Sequence, residues 1–130
     1  MLKHSFRHVT QWVFDLDNTL YPPEVQLFDQ IEVKMSDYVM QSLGVDKVAA
    51  DHLRQQYWRD YGTTLAGLMR VHNIDPGPYL FEVHDIDLTQ LQKDPALAAA
   101  INALPGRKIV YTNGTARYAR QVLAARGLEQ

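Results

Sequence analysis

Two short apolar runs, each followed by a polar cluster, constrain this sequence more than any other feature. The first run, Trp12–Phe14, leads into Asp15–Thr19, and the second, Lys108–Tyr111, leads into Thr112–Gly114. Short β-prone runs bounded by turn residues predict buried strands. Two such strands joined by a helical crossover predict a parallel pair in an α/β fold. In folds of this class, functional sites form at the carboxyl ends of the strands.

The sequence between the two runs has a helical pattern. Apolar residues recur at helical spacing up to Leu43, and Gly44 fits the position just past a helix end. Pro22 and Pro23 predict the start of this helix, because proline suits the first helical turn. Three more elements are predicted before the second run: helices from Asp46 to about Tyr61 and from Thr63 or Thr64 to near Asn73, then a short helix or turn at Asp75–Pro76. Residues 24–84 are therefore predicted to be all helical.

The flanks of this helical block are predicted as follows. Residues 1–10 show little pattern, which predicts a loose arm. Asp94 with Pro95 predicts the start of a helix that stops before Pro105–Gly106. A last helix is predicted from about Ala116 to Gly127, and it follows the second polar cluster directly.

Composition excludes several classes of function. With 130 residues, 46% of them hydrophobic, and a net charge of −2, the chain is globular and lacks a basic nucleic-acid footprint. The absence of cysteine excludes disulfides, thiolate metal sites and cysteine nucleophiles. No apolar run approaches the roughly 18 residues of a membrane helix, and the first residues lack a signal-peptide stretch. The sequence therefore predicts a cytoplasmic protein without nucleic-acid or membrane partners.

The first polar cluster carries two carboxylates, Asp15 and Asp17. Side chains two residues apart on an extended segment point the same way, so both are predicted to face one pocket. Close carboxylates repel each other, and a divalent cation relieves that repulsion. Ligation by oxygen alone suits Mg²⁺. One aspartate can then act as a nucleophile and the other as acid and base.

The second polar cluster has the character of an anion site. Thr112 offers a hydroxyl, and Asn113 and Gly114 offer backbone N–H groups at the predicted start of a helix, where anions bind readily. Carboxylates and an anion site on neighbouring strand ends together predict phosphoryl transfer. Taken singly, each cluster is equally consistent with a simple turn or helix cap.

Histidines and aromatic residues of the helical block are weaker candidates. The histidines lack the clustered spacing of a zinc site. Tyr61, like the neighbouring Tyr57 and Trp58, could stack on a nucleobase, although helical spacing favours packing between helices. His72 and His84 are candidates for residues near a substrate base.

Two motifs resemble a known family. Phe14–Pro22 closely resembles the first motif of the haloacid dehalogenase-like phosphatases, and Val110–Gly114 resembles their second. Three segments are similar to sequences of the pyrimidine 5′-nucleotidase branch: Asn18–Pro22, Tyr61–Leu65 and Val83–Asp85. The resemblance covers about residues 9–128.

This resemblance implies a fold and an activity. The fold would be a Rossmann-like parallel-sheet core, here incomplete with two strands, and an inserted all-helical cap. Residues 10–22 and 87–130 would form the core, and residues 23–86 the cap. The activity would be Mg²⁺-dependent hydrolysis of nucleoside 5′-monophosphates through an aspartyl-phosphate.

The resemblance also assigns roles to individual residues. Asp15 would be the nucleophile, and Asp17 would protonate the leaving oxygen and later activate water. The Asp15 carboxylate and the main-chain carbonyl of Asp17 would bind Mg²⁺. Thr112, Asn113 and Gly114 would bind the phosphate, and the cap residues Tyr61, His72 and His84 would lie near the substrate.

The chain departs from the family in one respect. Family members use a lysine beyond the second motif and acidic residues later still, whereas this chain has no lysine after Lys108 and no aspartate after Asp94. The sequence therefore looks like the first part of a longer enzyme. We expect very low phosphatase activity from these 130 residues, and self-association through an unpaired sheet edge.

Two alternative functions stay open at this point. One is a sugar-phosphate or phosphoglycolate-type phosphatase with the same core and another substrate preference. The other is a truncated, non-catalytic fragment that binds phosphate or a partner, and the missing lysine and acids favour it for the chain as it stands.

Overall fold

The computed structural model describes residues 5–129, and the chain divides into two units. One unit combines the described residues up to Val25 with those from Leu88 onward, and the other is Gln26–Asp87. Helices dominate, and the only sheet in the described residues has two parallel strands, which is consistent with an α/β fold. No helix within residues 5–129 is long and apolar enough to cross a membrane.

The secondary structure follows the predicted order of elements. A single turn of 3₁₀ helix occupies Pro23–Val25. The strands and α-helices are, in chain order, β1 (Gln11–Phe14), α1 (Leu27–Leu43), α2 (Lys47–Tyr61), α3 (Thr64–His72), α4 (Pro76–Val83), α5 (Pro95–Asn102), β2 (Arg107–Val110) and α6 (Ala116–Arg126).

The two strands form a parallel ladder, as predicted. Phe14 pairs with Val110, and the Tyr111 N–H donates to the Phe14 carbonyl at 2.8 Å. Gly106 precedes β2 with φ 96°, and a Cβ there would overlap the carbonyl oxygen of Thr10. Only glycine tolerates both the positive φ and this close approach. The close contact between Gly106 and Thr10 lets β2 pair with β1 from its first residue, where the Arg107 N–H donates to the Thr10 carbonyl at 2.9 Å.

Caps define the two helices that flank β2. The Asp94 carboxylate accepts the Leu97 N–H at the start of α5, and the Thr115 hydroxyl accepts the Tyr118 N–H at the start of α6. Gly127 closes α6 in the left-handed conformation with φ 71°. The predicted start of α5 and the predicted end of α6 are therefore confirmed.

The unit formed by Gln26–Asp87 is entirely helical, as predicted. Helix α2 packs against α1 and α3, and α4 packs against the same two helices. Side chains of Asp46, Thr63 and Asp75 cap α2, α3 and α4, and Gly44 ends α1 with φ 64°. Asp75–Pro76 therefore opens a helix rather than an isolated turn. The function of this unit as a cap stays a prediction.

Two local predictions are wrong. Pro22 and Pro23 do not begin α1, because Gln26 adopts the left-handed conformation with φ 58° and ψ 32° and interrupts the helical path. Residues 5–10 are not a loose arm, since the Val9 N–H donates to the Phe6 carbonyl and the Phe6 ring lies 6.3 Å from that of Trp12. The first four residues of the predicted arm lie outside the described residues, as does residue 130.

Candidate active site

Parallel pairing brings the two polar clusters to one edge of the sheet. Because Phe14 pairs with Val110 in parallel register, the chain leaves both strands in the same direction. Asp15 is the first residue after β1, and Thr112 is the second residue after β2. The candidate site therefore belongs to the unit that contains the sheet.

Asp15 presents its carboxylate to solvent. The side chain is exposed, and Oδ1 accepts the Leu16 N–H at 2.8 Å. The other oxygen, Oδ2, has no hydrogen-bond partner among residues 5–129. This oxygen is available to attack an electrophile or to bind a cation.

Asp17 is held in a different environment. Its Oδ1 accepts hydrogen bonds from the Tyr21 and Tyr118 hydroxyls, each at 2.8 Å. Asp17 is half-buried, whereas Asp15 is exposed. The chain turns at Asp17, so the alternation expected of an extended segment stops there. The two carboxylates therefore differ in their hydrogen bonds: Asp15 accepts one main-chain N–H, and Asp17 accepts two tyrosine hydroxyls.

Both tyrosines keep their hydroxyl protons at neutral pH. Each is 1% exposed, and burial together with the neighbouring Asp17 carboxylate raises the pKa of Tyr21 and that of Tyr118 well above the ordinary value. Neither hydroxyl loses its proton at neutral pH. Both hydroxyls therefore keep the protons with which they donate to Oδ1 of Asp17.

Helix α6 holds the loop after β1 at two points. Near the start of the helix, the Tyr118 hydroxyl donates to Asp17. At its end, the buried Arg126 donates from Nε to the Leu20 carbonyl at 2.9 Å and from Nη1 to the Gln92 carbonyl at 2.6 Å. Tyr118 and Arg126 are separated by eight residue steps, which is about 12 Å along the helix. The helix thereby acts as a rigid brace for the loop that carries both aspartates.

Sequence analysis did not identify these bracing residues. Tyr118 and Arg126 occupy ordinary positions in a helical pattern, and Tyr21 drew attention only as part of a motif. An arginine in the last turn of a helix, next to its glycine stop, usually reflects a favourable interaction with the helix dipole. No local signal shows that its guanidinium reaches a loop 106 residues away in the chain.

The second polar cluster forms a short turn before α6. The Thr112 hydroxyl accepts the Gly114 N–H at 3.1 Å, so this amide already has a partner. Helix α6 begins at Ala116 with Thr115 as its cap, so Asn113 and Gly114 precede the first turn of the helix. Thr112 is half-buried and Asn113 is exposed. A phosphate-binding role for Thr112, Asn113 and Gly114 stays a prediction.

The three substrate candidates of the helical unit lie in two places. The Tyr57 hydroxyl lies 2.6 Å from His72 Nε2, and the Tyr57 ring meets the Tyr61 ring edge-on at 5.9 Å. Through these two contacts the buried Tyr57 joins Tyr61 and His72 into one cluster. His84 follows α4, and its Nδ1 donates to the Leu80 carbonyl at 2.9 Å. A substrate role for these residues stays a prediction.

The donor set at the strand ends fits Mg²⁺. The Asp15 carboxylate and the Asp17 main-chain carbonyl are hard oxygen donors, and that carbonyl has only a long 3.5 Å hydrogen bond from the Thr19 hydroxyl in the described part of the chain. No three His, Cys, Asp or Glu side chains in residues 5–129 are grouped as metal ligands. Mg²⁺ commonly takes one or two protein carboxylates and completes its shell with water and phosphate. Residues Asp15 and Asp17 would hold the ion.

A curated protein is similar to part of this chain. The chain is 32% identical over 62 residues to Phosphate metabolism protein 8 of Saccharomyces cerevisiae. The matched stretch covers 48% of this chain and 19% of that relative's length. No protein-family model matches the chain.

Proposed function

We propose that this chain carries the catalytic acids of a Mg²⁺-dependent phosphomonoesterase that hydrolyses nucleoside 5′-monophosphates. Its core would be Rossmann-like, as the resemblance to the haloacid dehalogenase-like phosphatases implies. The partial relative is named for phosphate metabolism, which supports a phosphate-related activity. The specific substrate class depends on the motif resemblance, which favours the pyrimidine 5′-nucleotidase branch.

The observation that carries the proposal is the unequal pair of aspartates at the strand ends. Asp15 has a solvent-exposed carboxylate with Oδ2 available, as a nucleophile requires. Asp17 is oriented by two buried hydroxyls, as a general acid and base requires. Thr112 lies at the same edge of the sheet and offers a hydroxyl to the substrate phosphate.

The reaction would proceed in two displacements. In the first, an Asp15 oxygen bonds to phosphorus, the bond from phosphorus to the leaving oxygen breaks, and Asp17 gives that oxygen its proton. In the second, Asp17 takes a proton from water, the water oxygen bonds to phosphorus, and the Asp15–phosphorus bond breaks. The products are inorganic phosphate and the free alcohol. Bound Mg²⁺ would neutralise charge on the phosphate oxygens.

The direct test is phosphate release from a panel of substrates. Nucleoside 5′-monophosphates, sugar phosphates and phosphoglycolate are compared with Mg²⁺ present and after its removal by chelation. We expect the nucleotides to be hydrolysed fastest, and chelation to abolish release. Preference for a sugar phosphate or phosphoglycolate would contradict the nucleotidase assignment and favour another phosphatase of this type.

Variants of the two acids test their roles. Asp15→Asn removes the nucleophile, so release falls to background. Asp17→Asn removes proton transfer, which typically contributes about 10²–10⁴-fold. Asp37→Asn is the matched control, because Asp37 is an exposed aspartate of α1, and it should leave release unchanged. Unchanged release by Asp15→Asn would rule out the nucleophile assignment.

A further inference from the structure

A pair of buried tyrosines hydrogen-bonds to one oxygen of Asp17, and the proposed chemistry does not say which of the two Asp17 oxygens carries the proton. Tyr21 and Tyr118 come from opposite ends of the chain, and both hydroxyls lie 2.8 Å from the same atom, Oδ1. Each tyrosine is 1% exposed, so both hydrogen bonds come from buried side chains. We call these two residues the tyrosine clamp.

The backbone fixes both members of the tyrosine clamp. The Tyr118 N–H donates to the Thr115 hydroxyl at the start of α6, which sets the first turn of that helix. Tyr21 follows a turn in which the Leu20 N–H donates to the Leu16 carbonyl at 3.0 Å. Arg126 anchors the Leu20 carbonyl directly before Tyr21. Both hydroxyls are therefore presented by rigid backbone.

Two donors fill the acceptor capacity of one carboxylate oxygen. A carboxylate oxygen has two lone-pair directions, and the tyrosine clamp occupies both on Oδ1 of Asp17. Any proton that Asp17 carries must then reside on its other oxygen, Oδ2. The same two hydrogen bonds persist when Oδ2 is protonated, because Oδ1 still accepts as a carbonyl oxygen.

We propose that Tyr21 and Tyr118 are positioning residues that fix Asp17 so that Oδ2 alone exchanges protons with the leaving oxygen and with water. This inference rests on the proposed function and deepens it. Oδ2 gives its proton to the leaving oxygen as the bond to phosphorus breaks. It takes a proton back from the water that attacks the aspartyl-phosphate. The tyrosines themselves transfer no proton.

The test compares two substrates whose leaving groups differ in their need for a proton. Kinetics are measured with p-nitrophenyl phosphate and with uridine 5′-monophosphate for Tyr21→Phe, Tyr118→Phe and the double variant. Nitrophenolate leaves without protonation, whereas the ribose alkoxide requires it. We expect kcat/KM for the nucleotide to fall about tenfold or more in each single variant. For p-nitrophenyl phosphate, kcat/KM should change less than about threefold.

The ratio between the substrates separates positioning from damage to the fold. A variant that is partly unfolded loses activity equally toward both substrates, so the ratio of the two kcat/KM values does not move. The variants should also accumulate the hydroxylamine-sensitive aspartyl-phosphate, because its hydrolysis needs Asp17 as a base. Tyr38→Phe is the control, since Tyr38 is a half-buried tyrosine that packs on Tyr79 in the helical unit.

The possible results distinguish the two proposals. An active wild-type chain whose clamp variants keep the wild-type ratio would overturn the positioning role and leave the proposed function intact. A wild-type chain that releases no phosphate and forms no aspartyl-phosphate would overturn the proposed function and this inference together. A lowered ratio with accumulated aspartyl-phosphate supports both.

Discussion

Replacing Arg126 with methionine should remove the strongest polar link between α6 and the loop that carries the aspartates. The guanidinium is buried and donates to the Leu20 and Gln92 carbonyls at 2.9 and 2.6 Å. Its third bond, to Asp94 Oδ2 at 3.4 Å, reaches a carboxylate that is 40% exposed and so contributes little. Methionine keeps much of the aliphatic volume but leaves both carbonyls without a donor.

The magnitude follows from those two carbonyls. Hydrogen bonds to a charged group contribute about 1.5–3 kcal/mol each, so the expected loss in free energy of unfolding is about 3–6 kcal/mol. A domain of this size is stable by about 5–15 kcal/mol. With a urea m-value of about 1.5 kcal/mol/M, the unfolding midpoint should fall by about 2–4 M.

The assay is urea unfolding followed by tryptophan fluorescence. The chain has two tryptophans, Trp12 in β1 and Trp58 in α2, so a Trp58→Phe background lets Trp12 alone report on the unit that contains the sheet. Arg120→Met is the matched control, because Arg120 is exposed on the same helix, and its effect should stay within about 0.5 kcal/mol. If Arg126→Met loses no more stability than this control, the bracing role of α6 is refuted.

Three further predictions concern the helical unit and the sheet edge. Gly67→Ala should lower the free energy of unfolding by about 1–3 kcal/mol in a urea titration, because the alanine Cβ would overlap the Tyr57 side chain. This loss outweighs the higher helix propensity of alanine. Hydrogen bonds from Lys47 and Ser36 lower the pKa of the Asp51 carboxyl to about 2. The ionised Asp51 carboxylate therefore stabilises the folded chain above about pH 4, and this contribution is lost as the pH falls toward 2. Asp51→Asn should therefore flatten the pH dependence of stability in that window. Val13→Lys should reduce self-association in sedimentation velocity, because Val13 is 64% exposed on β1, whose other edge has no strand partner within residues 5–129.

Each of these predictions has a control or an opposing result. Gly77→Ala should change stability much less than Gly67→Ala, since a Cβ at Gly77 meets nothing closer than 3.5 Å. Asp60→Asn, an exposed substitution in α2, should leave the acid limb of the stability curve unchanged. A native chain that sediments as a monomer at high concentration would contradict association through the β1 edge.

Local sequence determined most of the secondary structure, because its signals act over a few residues. Asp46, Thr63 and Asp94 mark helix starts by accepting an N–H three residues on, and Gly44 and Gly127 mark ends by adopting positive φ. The start of α1 was mispredicted because the left-handed turn at Gln26 has no glycine or asparagine to announce it. Proline supplied a signal at the wrong place.

Sequence also identified the candidate residues for chemistry, while the tertiary structure decided how their surroundings differ. The polar clusters after the two runs were identifiable from their composition and position alone, and the parallel register then brought them to one sheet edge. That Asp17 is held by Tyr118, and that Arg126 holds the loop beside it, depends on contacts across 101 and 106 residues of chain. Side-chain patterns report what is near in sequence, whereas hydrogen bonds across a fold require the packed backbone to bring donor and acceptor together.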